Sequence, residues 1–520
     1  MEVFLLNFNL LLFLIFAYKK VRHGLHILQL ENYYNDRYLV WMQKNIKTVL
    51  NSKVLGLLII SSVICFLNLK IGLIFNILAY MVLIFSTKKK KEKKPFVVTA
   101  RIRRMYITGL IIFAAVAVLS NIFNKSIMMS VVNGIGIIAY TLVYIINFLN
   151  KPVEKSIRSG FCKKAKKKLK ENPNLKVVGI TGSFGKTSTK YAVNTILSQK
   201  YNTLMTPESY NTTMGVVRTI NEKLSPTHQL FICEMGAKYV GDIKEICDIV
   251  DPTYGLLTAI GPQHLDTFKS LDNVRKTKLE LVDSLPNEEG LAFVNWEDEN
   301  IRNSKITKKM VKFGLSSDAD YYAENIEIDE KGSTFDVVIP NKESIKVRTK
   351  LLGNLNVLNI VGAVAIADKL GLTADEIKTG VKYLRPVPHR LNLKQNPNGS
   401  IIIDDAYNSN IKGATMALEV LGSFKNRKRI LITPGIVELG DKSAEYNKQL
   451  GKTAAKNCDY IILVGAKQAV PILEGIIEEN YPQDNVYTAK NLDDALNKMN
   501  TILDSDSVVL LENDLPDNYL

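Results

Sequence analysis

Four long apolar runs, at roughly 3–17, 54–85, 106–123 and 127–149, constrain this chain more than any other feature, because a bilayer-spanning helix needs about 20 such residues. The run at 54–85 is too long for one helix and is interrupted by Asn68, Leu69 and Lys70, so the sequence predicts two helices joined by a tight turn and about five spans in all. Lys and Arg mark cytoplasmic loops, because translocating them is costly. Lys19, Lys20, Arg22, Arg37, Lys44 and Lys47 follow the first run, nine basic residues lie between Lys88 and Arg104, and nine more between Lys151 and Lys170. The two outer turns carry only Lys70 and Lys125. The pattern predicts a multi-pass, N-out and C-in transmembrane region over 1–150, a basic juxtamembrane linker over 151–172, and cytoplasmic domains beyond it. Met1-Glu2-Val3 runs directly into Phe4-Leu5-Leu6 without the basic start or small-residue cleavage site of a signal peptide, so the first helix is expected to be a retained anchor.

The formal net charge of +16 is not spread along the chain. Residues 1–170 hold 27 of the 67 basic residues and 5 of the 51 acidic ones, leaving 40 against 46 for the rest. The basic excess therefore belongs with the apolar segments, and no nucleic-acid partner is expected. The run Lys163-Lys164-Ala165-Lys166-Lys167-Lys168 is read as a solvated, positive-inside flank rather than a specific lipid or RNA site. Five scattered cysteines, Cys65, Cys162, Cys233, Cys247 and Cys458, form no C-x-x-C pair and fit a reducing compartment.

After Asn172-Pro173 the pattern changes to short apolar strands alternating with helical stretches, the signature of α/β layers. Val177 to Thr181 reads as a buried strand, Gly182-Ser183-Phe184-Gly185 as a turn, and Lys186 onward as a helix to about Leu197. Strand, glycine loop and helix make phosphate-binding geometry: backbone N–H groups point at the phosphates, Lys186 supplies a cation, and the Thr187 hydroxyl can ligate Mg2+. The strict Walker spacing fails, since Ile180 stands five before Gly185 and the other glycines are Gly179 and Gly182.

The run from Gly179 through Lys186-Thr187-Ser188 to Lys190 resembles the ATP loop of the Mur ligases, especially the branch that joins D-alanyl-D-alanine to the muramoyl peptide. Further matches follow in order: Ser209 to Gly215, Phe231 to Ala237, Gly261 to Asp266, Lys276 to Glu280, Val294 to Asp298, Leu352 to Asn359, Pro388 to Leu391, and Ile401 to Asn410. The resemblance implies an α-helical membrane domain followed by a central P-loop ATPase domain at 173–387 and a Rossmann-like α/β domain at 388–520. It implies ATP and Mg2+ as cofactors. ATP would be contacted by Gly182, Ser183, Gly185, Lys186, Thr187, Ser188, Asn295, Asn356, Asn359, Arg390, Asp405, Tyr407 and Asn408. The metal would be held by Thr187, Glu234, His264 and a carbamoylated Lys278, and Asn211 would meet the substrate. Lys186, Lys278, His264 and Arg390 would form the catalytic set.

Read without the family, several of these residues have plainer roles. Glu234 would be a solvated strand end, His264 a polar loop residue, Lys278 an exposed helical lysine paired with a carboxylate, and Asn356 a helix cap. Departures are Leu355 where the family has histidine, Ile411 where it has proline, and Leu510 to Asp517 in place of a Lys-Gly-Ser element. The membrane runs also stand where the family has a uridine-nucleotide domain.

These features predict an ATP-dependent amide-bond ligase working through an acyl phosphate, adding an amino acid or dipeptide to a cell-wall precursor, lipid-linked in the preferred reading, at the cytoplasmic membrane face. A membrane poly-amino-acid synthetase is the rival within the enzyme class, and Asp405-Ala406-Tyr407-Asn408 argues against it. An ATP-driven transporter is the rival from another class, and no Walker-B aspartate or transporter signature supports it.

Overall fold

The computed structural model describes the chain apart from residues 87–94, 121–123, 330, 408–409 and 515–520. The described residues form two compact units that divide between Ser159 and Gly160.

The first unit is helical. Among the described residues, three stretches, Glu2–Leu30, Ile46–Leu67 and Leu69–Ser86, are long and apolar enough to cross a membrane, and Lys125–Ile137 with Ala139–Lys170 makes a fourth if the pair, bent by 80°, is one broken span. The sequence predicted one straight span at 127–149, but the helix breaks at Ile138. The turn expected at 68–70 is tighter still, with Asn68 alone between two helices and its Oδ1 accepting from the Ile71 amide. The span expected at 106–123 lies partly outside the described residues. Inside this unit, several buried polar side chains find hydrogen-bond partners, as an apolar interior favours. Tyr80 donates to Asn133 Oδ1 at 2.7 Å, Asn133 donates to Ser62 Oγ at 3.0 Å, and Asn9 donates to the Leu73 carbonyl at 3.0 Å.

The second unit contains two sheets. The first has β1 (Lys176–Thr181), β2 (Thr203–Met205), β3 (Leu230–Glu234), β4 (Tyr254–Leu257), β5 (Leu291–Asn295), β6 (Met310–Gly314), β7 (Tyr321–Asp329), β8 (Gly332–Val338) and β9 (Ile345–Thr349), in the order 2-3-1-4-5-6-7-8-9. Strands β2 to β7 pair in parallel, and β7 to β9 close the edge as an antiparallel meander. Strands β1 and β4 are neighbours, and the chain leaves β1 toward β2 on one side and β4 toward β5 on the other, so the connections part between them. Such a switch point opens a crevice at the carboxyl ends of the strands. The second sheet has β10 (Asn392–Gln395), β11 (Ile401–Asp405), β12 (Lys428–Thr433), β13 (Tyr460–Val464), β14 (Val486–Ala489) and β15 (Ser507–Glu512), in the order 10-11-15-12-13-14. It is parallel except for β10 against β11. Between the sheets, His389 and Leu391 adopt positive φ angles of 60° and 46° on either side of Arg390. Such backbone is costly for residues with a Cβ and marks a joint held by its surroundings.

The basic segment expected to be a linker is helical, part of the single helix Ala139–Lys170. Its last turns belong to the second unit: Ala165 is fully buried in a core with Val216, Val217, Ile220 and Leu224. Lys168 turns its ammonium inward to the carbonyls of Asn221 (2.9 Å) and Leu224 (3.2 Å), capping the helix Thr213–Lys223. The second unit therefore begins near Gly160, ahead of the boundary expected at Asn172. The lysine run hid this, because the packing rests on Cys162, Ala165, Leu169 and one inward lysine scattered among it.

Candidate active site

Strand β1 ends at Thr181, and the chain turns through Gly182 to Gly185 into the helix Lys186–Leu197. Gly182 has φ 153°, and a Cβ there would stand 2.0 Å from Thr258 Oγ1, so only glycine fits. Ser183 is not free to meet a phosphate through its hydroxyl: Oγ donates to the Gly261 carbonyl and accepts from the Gly261 amide, both at 2.9 Å. It ties the loop to the segment after β4. Lys186 folds back on its own loop, with Nζ 2.6 Å from the Gly182 carbonyl and 3.2 Å from that of Ser183. Burial, with Arg390 nearby, pushes its amine down to about 8 despite the opposing pull of Glu234.

Glu234 ends β3, next to β1 in register with Ile180, and is fully buried. Its Oε1 accepts from Thr187 Oγ1 at 3.1 Å and from Asn211 Nδ2 at 3.0 Å. Its Oε2 has the Lys190 ammonium at 3.0 Å as an ion-pair partner, without a hydrogen bond of good geometry. A solvated strand end is thereby excluded, and three residues expected to serve metal and substrate meet at one carboxylate. The sequence reading assigned Lys190 no role; its signal was a lysine in a helix whose neighbours Thr189, Ala192 and Val193 are buried.

Lys278 lies on the helix Leu271–Asp283 and is buried, so the exposed, paired lysine of the plainer reading does not occur. Burial and the nearby Lys186 cation hold its amine well below the usual lysine range. His264, with φ 51°, is paired through Nδ1 to the Glu438 carboxylate from the loop after β12. Burial nevertheless lowers its affinity for a proton, with a further contribution from Lys278. Lys238 approaches the other oxygen of Glu438 at 3.6 Å. The turn Pro434 to Gly440 also matches the family in sequence, but no role for Glu438 is legible there, because its partner His264 lies 174 residues away.

Asn359 accepts from Thr189 Oγ1 at 3.0 Å, and its buried Nδ2 has no partner among the described residues. Asn356 donates to the Leu352 carbonyl at 2.8 Å and does not cap the helix, a position held by Gly353. Asn356, Ser188 and Arg390 line a cavity of about 320 Å³ with Tyr191, Asn194 and Tyr383. Asn295 bonds to backbone on both sides, donating to the Thr258 carbonyl at 2.7 Å and accepting from the Glu297 amide at 3.0 Å. Arg390 covers the Tyr407 ring at 4.5 Å from its centroid. Asp405 accepts from the Leu391 amide at 3.1 Å, and burial raises its carboxyl against the pull of Arg390. Asn408 lies outside the described residues.

The donor set suits a hard cation: a buried carboxylate and a hydroxyl beside the phosphate loop. No group of three His, Cys, Asp or Glu side chains converges among the described residues, so further ligands would come from Lys278, water or phosphate oxygens.

Comparison with known proteins matches residues 180–367 to the Mur ligase middle domain and 389–512 to the Mur ligase, glutamate ligase domain. The UDP-N-acetylmuramoyl-tripeptide--D-alanyl-D-alanine ligase of Escherichia coli is 33% identical over 58% of this chain and 68% of its own. The enzyme of that name from Haemophilus influenzae is 30% identical over 58% of this chain and 66% of its own. The chain thus spans about two-thirds of the length of these curated relatives. The crystal structure of MurF from Acinetobacter baumannii superposes with a TM-score of 0.62 at 29% identity, covering 70% of this chain and 78% of that one.

Proposed function

The chain belongs to the Mur ligase family of ATP-dependent acid–amino-acid ligases, and on that premise we propose that it joins an amine to a carboxylate of a cell-wall precursor at the cytoplasmic face of a membrane. The observation that carries the reading is Glu234, a fully buried carboxylate beside the phosphate loop with Thr187 and Asn211 on one oxygen.

In this reading the acceptor carboxylate attacks the γ-phosphorus of ATP, ADP leaves, and the resulting acyl phosphate is attacked by the incoming amine. The amide forms, inorganic phosphate departs, and the amine's proton goes to a base or to water. Lys186 leaves the carbonyls of Gly182 and Ser183 for the phosphate oxygens, where a cation counters the developing charge. Thr187 and Glu234 would hold Mg2+, which supplies Lewis-acid stabilisation of the transferred phosphoryl group. Lys278, a buried amine of weakened basicity, is suited to take up carbon dioxide and become an anionic carbamate ligand. Glu438 orients His264, while Arg390, Asp405 and Tyr407 border the cleft and exclude the water that would hydrolyse the acyl phosphate.

The relatives' names point to a muramoyl tripeptide and D-alanyl-D-alanine as the substrate classes. A lipid-linked acceptor is favoured here because apolar helices occupy the first third of the chain and basic residues flank them on one side. Confining enzyme and acceptor to one surface raises their effective concentration. The test is to supply the full-length protein in membranes, and a fragment starting at Gly160, with ATP, D-alanyl-D-alanine and either lipid-linked or uridine-linked acceptor, and to identify products by mass spectrometry. Faster use of the lipid-linked acceptor by the full-length protein is expected. Equal use of the uridine-linked acceptor by both proteins, with the lipid-linked one untouched, would overturn the membrane-face reading.

A further inference from the structure

Of the four residues expected to hold the metal, Thr187, Glu234, His264 and Lys278, only Glu234 carries a carboxylate, and that carboxylate is already answered by a buried cation. Lys190 has no exposed side-chain surface, and its ammonium stands 3.0 Å from Glu234 Oε2. The same ammonium also donates to the Glu208 backbone carbonyl, which fixes its position. Thr187 and Asn211 both donate to Oε1, so each oxygen of Glu234 faces a donor or a cation. Lys186 and Arg390 add positive charge around the same loop, and Lys278 is close enough to Lys186 for the two amines to repel. The mechanism above gives Lys190 no task, yet a buried lysine without one is rare, since burying a charge is costly unless it is paired.

We propose that Lys190 is a placeholder cation: it neutralises Glu234 while the phosphate loop is empty, so that free divalent metal is not retained and the ion enters with the nucleotide's phosphates. The inference rests on the reading of Glu234 as a metal-holding residue and deepens it. A lone, unpaired, buried carboxylate would collect any divalent cation; one already paired has little left to offer until additional anionic oxygens arrive. Nucleotide phosphates supply those oxygens, and their negative charge answers both the incoming metal and the lysines around the loop. Lys190 acts through Glu234 and is a positioning residue rather than a catalytic one.

The experiment is titration of the full-length protein with Mn2+, read by the electron paramagnetic resonance of free ion, with and without a non-hydrolysable ATP analogue. Wild-type protein is expected to bind Mn2+ poorly alone and at least about tenfold more tightly with the analogue. Lys190→Met should gain nucleotide-free binding of at least about tenfold, because Glu234 is then buried without its cation. Lys190→Arg keeps the charge and should resemble wild type. Wild-type protein that binds Mn2+ as tightly without nucleotide as with it overturns the proposal, a result that needs no variant to fold. So does a folded Lys190→Met that gains nothing. Glu234→Gln separates the two readings: if it binds Mn2+ with the analogue as well as wild type does, Glu234 is not a metal ligand and the premise fails. If it loses that binding while Lys190→Met gains none alone, the premise stands and the placeholder role fails.

Discussion

Tyr407 donates its hydroxyl hydrogen to Ser209 Oγ at 2.7 Å, joining residues 198 apart in sequence and belonging to the two different sheets' loops. Ser209 precedes Asn211, whose amide fixes Glu234, and Tyr407 lies under Arg390. The contact thus ties the second α/β domain to the loop that braces the buried carboxylate.

Tyr407→Phe should weaken closure without unfolding the protein, because the ring is half exposed and the stacking by Arg390 survives. Loss of one hydrogen bond worth about 1 kcal/mol predicts roughly a fivefold rise in KM for nucleotide with an unchanged melting temperature. A lower melting temperature with an unchanged KM would show that the hydroxyl serves packing instead.

Lys168→Met leaves the carbonyls at the end of the helix Thr213–Lys223 without their cap and should cost about 1–2 kcal/mol in chemical denaturation. For the same reason a fragment beginning at Gly160 should be soluble, whereas one beginning at Asn172 loses Ala165 from its core and should aggregate. A monomeric, cooperatively folding fragment from Asn172 would contradict the boundary.

Lys278→Ala should lose nearly all ligase activity and regain part of it when short carboxylic acids are added, because an anionic oxygen could then enter the space of the proposed carbamate. Wild-type protein in ¹³C-bicarbonate should show a carbamate resonance that the variant lacks. Full activity of the variant without added acid would exclude a ligand role for this side chain.

Asp404 receives hydrogen bonds from Lys394 Nζ at 2.8 Å and His389 Nδ1 at 3.0 Å. Burial alone would raise its carboxyl, but these two bonds outweigh it and hold the group below its ordinary 3.8. The native state then binds fewer protons than the unfolded one, so this stabilisation is complete above pH 3.8 and lost as pH falls through the depressed value. Asp404→Asn should be less stable than wild type by about 2 kcal/mol at neutral pH, and the gap should close in acid. A gap that stays constant down to the acid limit would assign the loss to packing rather than charge.

What could be read from the sequence is what adjacent residues decide together. Val177 to Leu197 folds as strand, glycine loop and helix because apolar spacing, Gly182 and Lys186 act within one turn of chain. The apolar runs near the amino terminus likewise announce their helices, since length and hydropathy are local properties. The same logic failed where a residue's surroundings come from elsewhere. Taken without the family resemblance, Lys278 reads as a surface lysine of a helix, and it is buried. Lys168 sits in a run that reads as solvated, yet it points into the protein. Only the order of strands in the sheet, which sets β3 beside β1, brings Glu234 to Thr187 and Lys190; only the second domain brings Glu438 to His264. Burial and charge pairing are properties of the assembled neighbourhood, and so the presence of a phosphate loop was written in the sequence while the cation that answers its carboxylate was decided by the tertiary structure.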